Sequence, residues 1–267
     1  MPAAPPAPAT LWFVRHGESA ANLARNAAYA AAAERVEVAE RDQDVPLSPL
    51  GERQADALGR WWAAQPLGDR PTVVLASPYE RAHQTAARVV AAGAVAGGDR
   101  DPAQVVLDER WREKELGLFF RVTHHGVRRH YPEQWALRQE QDVFYYRPPN
   151  GESGADVAER VRAALGDLAR DYAGERVLVV CHQVTILCVR YVLERMTEAE
   201  LLATWRAYDL ANCSVTEYRP GAGGRLALTR LNFTVPVAEG GPARGDGAAV
   251  TAEPAADEPP GGVDAAA

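Results

Sequence analysis

Four short apolar runs, none of which alternates with polar residues, constrain this chain more than any other feature. They are Leu11–Val14, Val73–Ala76, Val105–Leu107 and Val177–Cys181, rich in β-branched and aromatic side chains. A strand with one wet face alternates; a run that is apolar at every position suits a strand covered on both faces. That is the condition of a parallel sheet sandwiched between helices. The intervening segments read as helices. Ser48-Pro49 predicts a helix start, with the serine as N-cap and the proline in the first turn. Ser77-Pro78-Tyr79-Glu80 has capping-box spacing and predicts a second start, with Ser77 as the cap. Val157, Val161, Leu165, Leu168 and Tyr172 form one stripe of a helix running from Ala155 to about Tyr172. Val184 to about Leu193 predicts a buried helix straight after the fourth run. The alanine-rich stretch 27–33 predicts another on propensity. Late in the chain, Cys213–Tyr218 and Leu226–Asn232 flank a glycine-rich turn and read as an antiparallel pair. The alternation implies an α/β fold: a single three-layer α/β/α domain, its sheet mainly parallel with an antiparallel edge.

Composition sets the limits of that domain. Residues 1–9 are mostly Pro and Ala, and 237–267 are Gly, Ala, Pro, Asp and Glu with little to bury. Both are expected to be disordered tails around a domain at 10–236. With 267 residues, 47% of them hydrophobic, the chain can build a core without staples. Cys181, Cys188 and Cys213 cannot all pair, and each lies in an apolar run. They read as reduced, buried and structural, which implies a reducing compartment. The N-terminus lacks the basic start and apolar stretch of a secretory signal. No run approaches the ~20 apolar residues of a membrane helix, so no membrane partner and a cytoplasmic location are expected. A net charge of −7 speaks against general nucleic-acid binding but leaves room for local basic pockets.

In an open α/β sheet, ligands bind beyond the carboxyl ends of the strands. That is where this chain keeps its chemistry. Arg15-His16-Gly17-Glu18-Ser19, with Asn22, follows the first run. Its glycine would let the backbone approach a ligand, and the following helix start is a natural anion site. Arg81 follows the second run and falls in the first turn of a helix, against the dipole. A bound phosphate would favour that placement; the alternatives are solvent or a pair with Glu80. Asp108 to Gly117, crowded with charge, follows the third run, and His182-Gln183 the fourth. Taken singly, each also fits a solvated turn or a structural histidine. Together they set two histidines, two arginines and a carboxylate at the ends of separate strands, as phosphoryl transfer through a histidine requires.

These segments resemble the histidine phosphatase superfamily, the group that contains cofactor-dependent phosphoglycerate mutases and many phosphatases. The resemblance rests on Arg15-His16-Gly17-Glu18-Ser19 with Asn22, on Ser77-Pro78 with Arg81-Ala82 and Gln84-Thr85-Ala86, on Glu113 ahead of Gly117, and on His182. Ser48-Pro49-Leu50-Gly51 and Gly151-Glu152-Ser153 add to it, and it runs from about Thr10 to Val235. It implies a phosphoglycerate mutase-like fold and a two-step reaction. His16 would form a phosphohistidine, and Glu113 would protonate the leaving alcohol and then activate water. Arg15, Arg81 and His182 would hold the phosphate, with His182 also stabilising the transition state and Asn22 a neutral donor. The resemblance implies no metal and no cofactor, and a small anionic phosphorylated substrate as the partner.

Gln183 stands where the family usually has Gly, and the segment between Gly117 and Gly151 is the family's variable region. Within that region, residues 121–130 carry three Arg, three His and no acid. They read either as a basic lid over the site or as a solvated loop. His124, His125 and His130 lack Cys or Asp at ligand spacing, so no metal site is expected there. The Arg-Arg-Ser and Pro-rich segment of the glycolytic mutases is not found, which favours a phosphomonoesterase over mutase-type transfer. A non-catalytic phospholigand-binding protein is the third reading; the complete set of His16, Arg15, Arg81, Glu113 and His182 stands against it. Oligomeric state is open, since Trp61-Trp62 fits either core or an interface.

Overall fold

Covering each apolar run on both faces requires two helical layers. The computed structural model, which describes residues 7–97, 101, 104–207, 209–221 and 224–237, has both. The runs become β1 (Thr10–Arg15), β2 (Val73–Ala76), β3 (Val105–Leu107) and β4 (Arg176–Cys181), followed by β5 (Val215–Pro220) and β6 (Leu226–Phe233). The helices of the described residues are α1 (Ala20–Ala30), α2 (Pro49–Ala63), α3 (Glu80–Ala91), α4 (His124–His130), α5 (Pro132–Tyr145), α6 (Gly154–Asp171), α7 (Gln183–Leu193) and α8 (Glu198–Ala207). One six-stranded sheet has the order β3-β2-β4-β1-β5-β6. β4 lies parallel between β1 and β2, and β2 is parallel to β3. β5 is antiparallel to β1, and β6 to β5. The chain is therefore a single α/β domain with a parallel centre and an antiparallel edge.

Successive residues of each central strand serve opposite layers, as the pleat demands. Leu11, Phe13, Leu75, Val177 and Val179 pack with apolar residues of α6, α7 and α8. Trp12, Val14, Val74, Leu178 and Val180 pack with α2 and α3. β3 departs from the expectation of burial on both faces: it lies at the end of the sheet, and Leu107 is 49% exposed. Trp62 is fully buried and meets Trp12 edge-on at 5.8 Å, while Trp61 is half-buried against Phe233.

Two helix starts and one stop refine the sequence reading. Ser48 caps α2 as expected, its hydroxyl oxygen accepting from the Gly51 amide at 3.1 Å. Ser77 does not cap α3. The helix starts at Glu80 with Tyr79 as its N-cap, and the Ser77 hydroxyl points elsewhere. The alanine run is helical only to Ala30. Ala32 turns to a φ of +48°, and the chain from Glu34 to Val36 then lies beside Arg121–Thr123.

The variable segment folds into α4 and α5, and the acid missing from 121–130 arrives from afar: Glu34 pairs with Arg129 and His130. All three cysteines are free and buried. No helix among the described residues is long and apolar enough to cross a membrane. Residues 1–6 and 238–267, most of the two expected tails, lie outside the described residues. Ala7 and Ala9 hydrogen-bond to the backbone of Gly174 and Glu175.

Candidate active site

Each of the four parallel strands ends on the same side of the sheet, in or just ahead of a residue with chemistry. Arg15 closes β1 and pairs in register with Cys181, which closes β4. The next residue of each strand, His16 and His182, therefore lands beside the other, with ring centroids 5.1 Å apart. β2 leads to Ser77 and Arg81. β3 leads through a short 3-10 turn, Glu109–Trp111, to Glu113.

His16 is buried, and its Nδ1 lies 2.7 Å from the carbonyl oxygen of Gly17. A carbonyl only accepts, so Nδ1 carries the proton and Nε2 keeps its lone pair. Burial holds the imidazole well below its ordinary pKa, and the positive charges of Arg81 and Arg15 push in the same direction. His182 is likewise held neutral, by burial first and then by Arg81. Its Nε2 meets Ser77 Oγ at 2.8 Å, and that oxygen also lies 3.2 Å from the Tyr79 amide. The serine hydroxyl can accept from the amide and still donate to Nε2, which would put the ring proton on His182 Nδ1, an atom that is buried and without a partner among the described residues. Ser77, expected as a helix cap, thus meets the ring of a histidine instead.

The His16 loop is clamped from two helices. Thr85 Oγ1 donates to the Arg81 carbonyl at 2.7 Å and accepts from the Gly17 amide at 3.0 Å. Glu18 accepts from the Ser48 hydroxyl at 2.6 Å, and its amide donates to Gln54. A Cβ on Gly17 would stand 2.6 Å from the Gly51 carbonyl oxygen. The close approach that needs glycine here is to the first turn of α2. The start of α1 is less open to an anion than its position suggests. Ser19 and Asn22 form a reciprocal capping box, and Asn22 Oδ1 also accepts from Asn212 at 3.4 Å. The oxygen of Asn22 is thereby committed to structure.

Both arginines are buried and both meet carboxylates. Arg15 pairs with Asp209 at 3.2 Å and donates to the Leu210 carbonyl. Arg81 donates from Nη1 to the carbonyl of Asp42, forms an ion pair with the Asp42 carboxylate, and lies over the Tyr79 ring. It does not pair with Glu80, which bonds Gln84.

Glu113 is half-buried, and each of its oxygens accepts a backbone N–H, from Lys114 at 2.9 Å and from Val184 at 3.3 Å. Burial raises its pKa above the ordinary carboxyl value, against those two hydrogen bonds and the charges of Arg81 and Arg160. Arg112 is turned away, held by Glu109, Glu115 and Glu152. Glu152 also binds Arg160, which donates to the backbone carbonyl of Glu113 at 3.1 Å. The Gly151-Glu152-Ser153 segment is thus a brace for the Glu113 loop. Gln183 opens α7, buried, with Oε1 lacking a partner among the described residues. Beside the site, a cavity is lined by Arg25, Tyr29, Lys114, His124, Trp135 and Arg138, among others.

His16, His182, Arg15, Arg81 and Glu113 are legible in the sequence, and the fold brings the strand ends that carry them together. Ser77 as the partner of His182 is not, nor are Asp42, Asp209 and Asn212. Ser77 was visible as Ser-Pro after a strand; the other three come from connections with no motif.

The sequence model of the histidine phosphatase superfamily, branch 1, matches residues 11–234. The chain is 32% identical over 195 residues to human 6-phosphofructo-2-kinase/fructose-2,6-bisphosphatase 3, covering 72% of this chain and 31% of that protein. It is 30% identical over 195 residues to the rat form 1, with 72% and 34% covered. It thus spans about a third of the length of these relatives. Among solved structures, Bacillus stearothermophilus YhfR superposes with a TM-score of 0.65 at 26% identity, over 84% of this chain and 96% of that one. A mycobacterial glucosyl-3-phosphoglycerate phosphatase in complex with VO3 shares the fold, with a TM-score of 0.63 at 24% identity over 85% and 100% of the two chains.

Proposed function

The chain belongs to the histidine phosphatase superfamily, and from that membership we propose that it is a phosphomonoesterase working through a phosphohistidine on His16. One observation carries the reading: a buried imidazole whose Nδ1 proton is tied to the Gly17 carbonyl and whose Nε2 takes no hydrogen bond among the described residues. In the first step Nε2 bonds to phosphorus while the bond to the ester oxygen breaks. Glu113, protonated, gives its proton to that oxygen. In the second step the Glu113 carboxylate takes a proton from water, the water oxygen bonds to phosphorus, and the phosphorus–nitrogen bond breaks. Arg15, Arg81 and the His182 Nδ1–H supply fixed donors for the charge that shifts onto the phosphoryl oxygens. The raised pKa of Glu113 and the lowered pKa of His16 are the directions these roles need. The substrate class is a small phosphorylated molecule, and no step calls for a metal.

The test is phosphate release from a panel of phosphomonoesters in the presence of EDTA, for the native protein and His16→Ala. EDTA-resistant turnover is expected, reduced more than about a thousandfold in the variant, as when a covalent nucleophile is lost. Turnover that survives in the variant would rule out His16 as nucleophile. A trapped phosphoenzyme without phosphate release would point to mutase-type transfer.

A further inference from the structure

We propose that Asp42 is a resident competitor for the phosphate site, a carboxylate that occupies Arg81 and limits how tightly the site keeps phosphate. The inference rests on the phosphatase reading of this site. Arg81 is almost fully enclosed, with 6% of its side chain exposed. Its Nη1 donates to the Asp42 carbonyl at 2.6 Å and lies 2.9 Å from the Asp42 carboxylate. Its Nε and Nη2 take no hydrogen bond among the described residues, so the rest of the fork remains for a ligand. The Tyr79 ring, 5.0 Å from the guanidinium carbon, supports it from one side. The same cation acts on His16, His182 and Glu113, which places its charge at the reacting centre.

Asp42 belongs to a short 3-10 turn, Asp42–Asp44, in the connection between α1 and α2. Nothing in that turn's own packing needs the carboxylate. The turn is anchored by the buried Val45 and Leu47, and by the Leu47 amide donating to Gln84. A phosphate held by the free edge of Arg81 would share one guanidinium with Asp42. Two anions a few ångströms apart repel, and at protein-like dielectric the effect on binding is about tenfold or more. The backbone carbonyl of residue 42 also holds Nη1, so removing the charge leaves the arginine in place. The two functions of this residue separate cleanly: the carbonyl positions Arg81, and the carboxylate weakens the site for the product.

Calorimetric titration of the full chain with inorganic phosphate tests this without depending on turnover. Asp42→Asn and Asp42→Ser should each bind phosphate about tenfold tighter than the native protein, with unchanged melting temperatures. Asp44→Asn, on the same turn but paired with the exposed Arg41, should stay within about twofold. In an Arg81→Gln background, Asp42→Asn should produce no gain, because the effect runs through that guanidinium. Folded Asp42 variants that bind phosphate no tighter would overturn the proposal, as would a gain that persists without Arg81. If neither the native protein nor the Asp42 variants bind phosphate, the phosphatase reading fails and the proposal falls with it.

Discussion

A histidine next to two arginines is a poor base, and that is what makes His16 suitable. Burial and the two guanidinium charges hold its pKa well below 6.5, while burial lifts Glu113 above 4.5. In the proposed first step His16 must be unprotonated, a condition met above its lowered pKa. Glu113 must be protonated, a condition met below its raised pKa. The two directions open a window between them, so kcat/KM should rise as pH passes the lowered pKa of His16 and fall as pH passes the raised pKa of Glu113. Glu113→Gln should lower kcat by about 10²–10⁴ and remove the alkaline limb, since an amide cannot ionise. A pH profile unchanged in shape by the variant would contradict the assignment. At this scale the sequence displayed the residues but not their partners. Ser77 sits in a pattern that ordinarily means a helix cap, and only its proximity to His182 shows that the hydroxyl serves an imidazole.

The elements around the site are held by close backbone approach as much as by side chains. A Cβ on Gly51 would stand 1.9 Å from the Glu18 carbonyl oxygen, so any substitution must push the first turn of α2 away from the His16 loop. Gly51→Ala should cost about 1–3 kcal/mol of stability and lower kcat more than melting alone explains. Gly166→Ala, in mid-α6 with open space around it, should be neutral or stabilise by up to about 1 kcal/mol. Thermal melts and steady-state kinetics on the pair separate backbone crowding from helix propensity; equal effects at the two sites would refute the clamp. Element starts were legible where a local signal decides, as at Ser48-Pro49. The start of α3 past Ser77, at Glu80, and the stop before Ala32 carry no such local signal.

At the scale of the molecule, two layers share one sheet and the core runs through it. Trp62 is enclosed between Trp12 and the α2–α3 layer, at the opposite end of α2 from the turn that meets the His16 loop. Trp62→Ala should destabilise the fold by about 3–5 kcal/mol, read as a lower melting temperature, while KM for any substrate is unchanged at a temperature where the protein remains folded. A large KM change would mean that this layer transmits to the site. The amino-acid sequence by itself determined the layered centre: the runs of β1, β2 and β4 are apolar at every position and are covered on both faces, and that pattern is local, although the equally apolar β3 lies at the sheet edge. It also determined which residues end the strands, because strand and turn are adjacent in the chain. Only the tertiary structure decided which carboxylates meet the arginines, which hydroxyl meets His182, and where the acid for the 121–130 segment comes from. Those contacts join Asp42 to Arg81, Asp209 to Arg15 and Glu34 to His130 across long stretches of chain. Electrostatic and hydrogen-bond partners are chosen by position in space, and no spacing in the sequence records that choice.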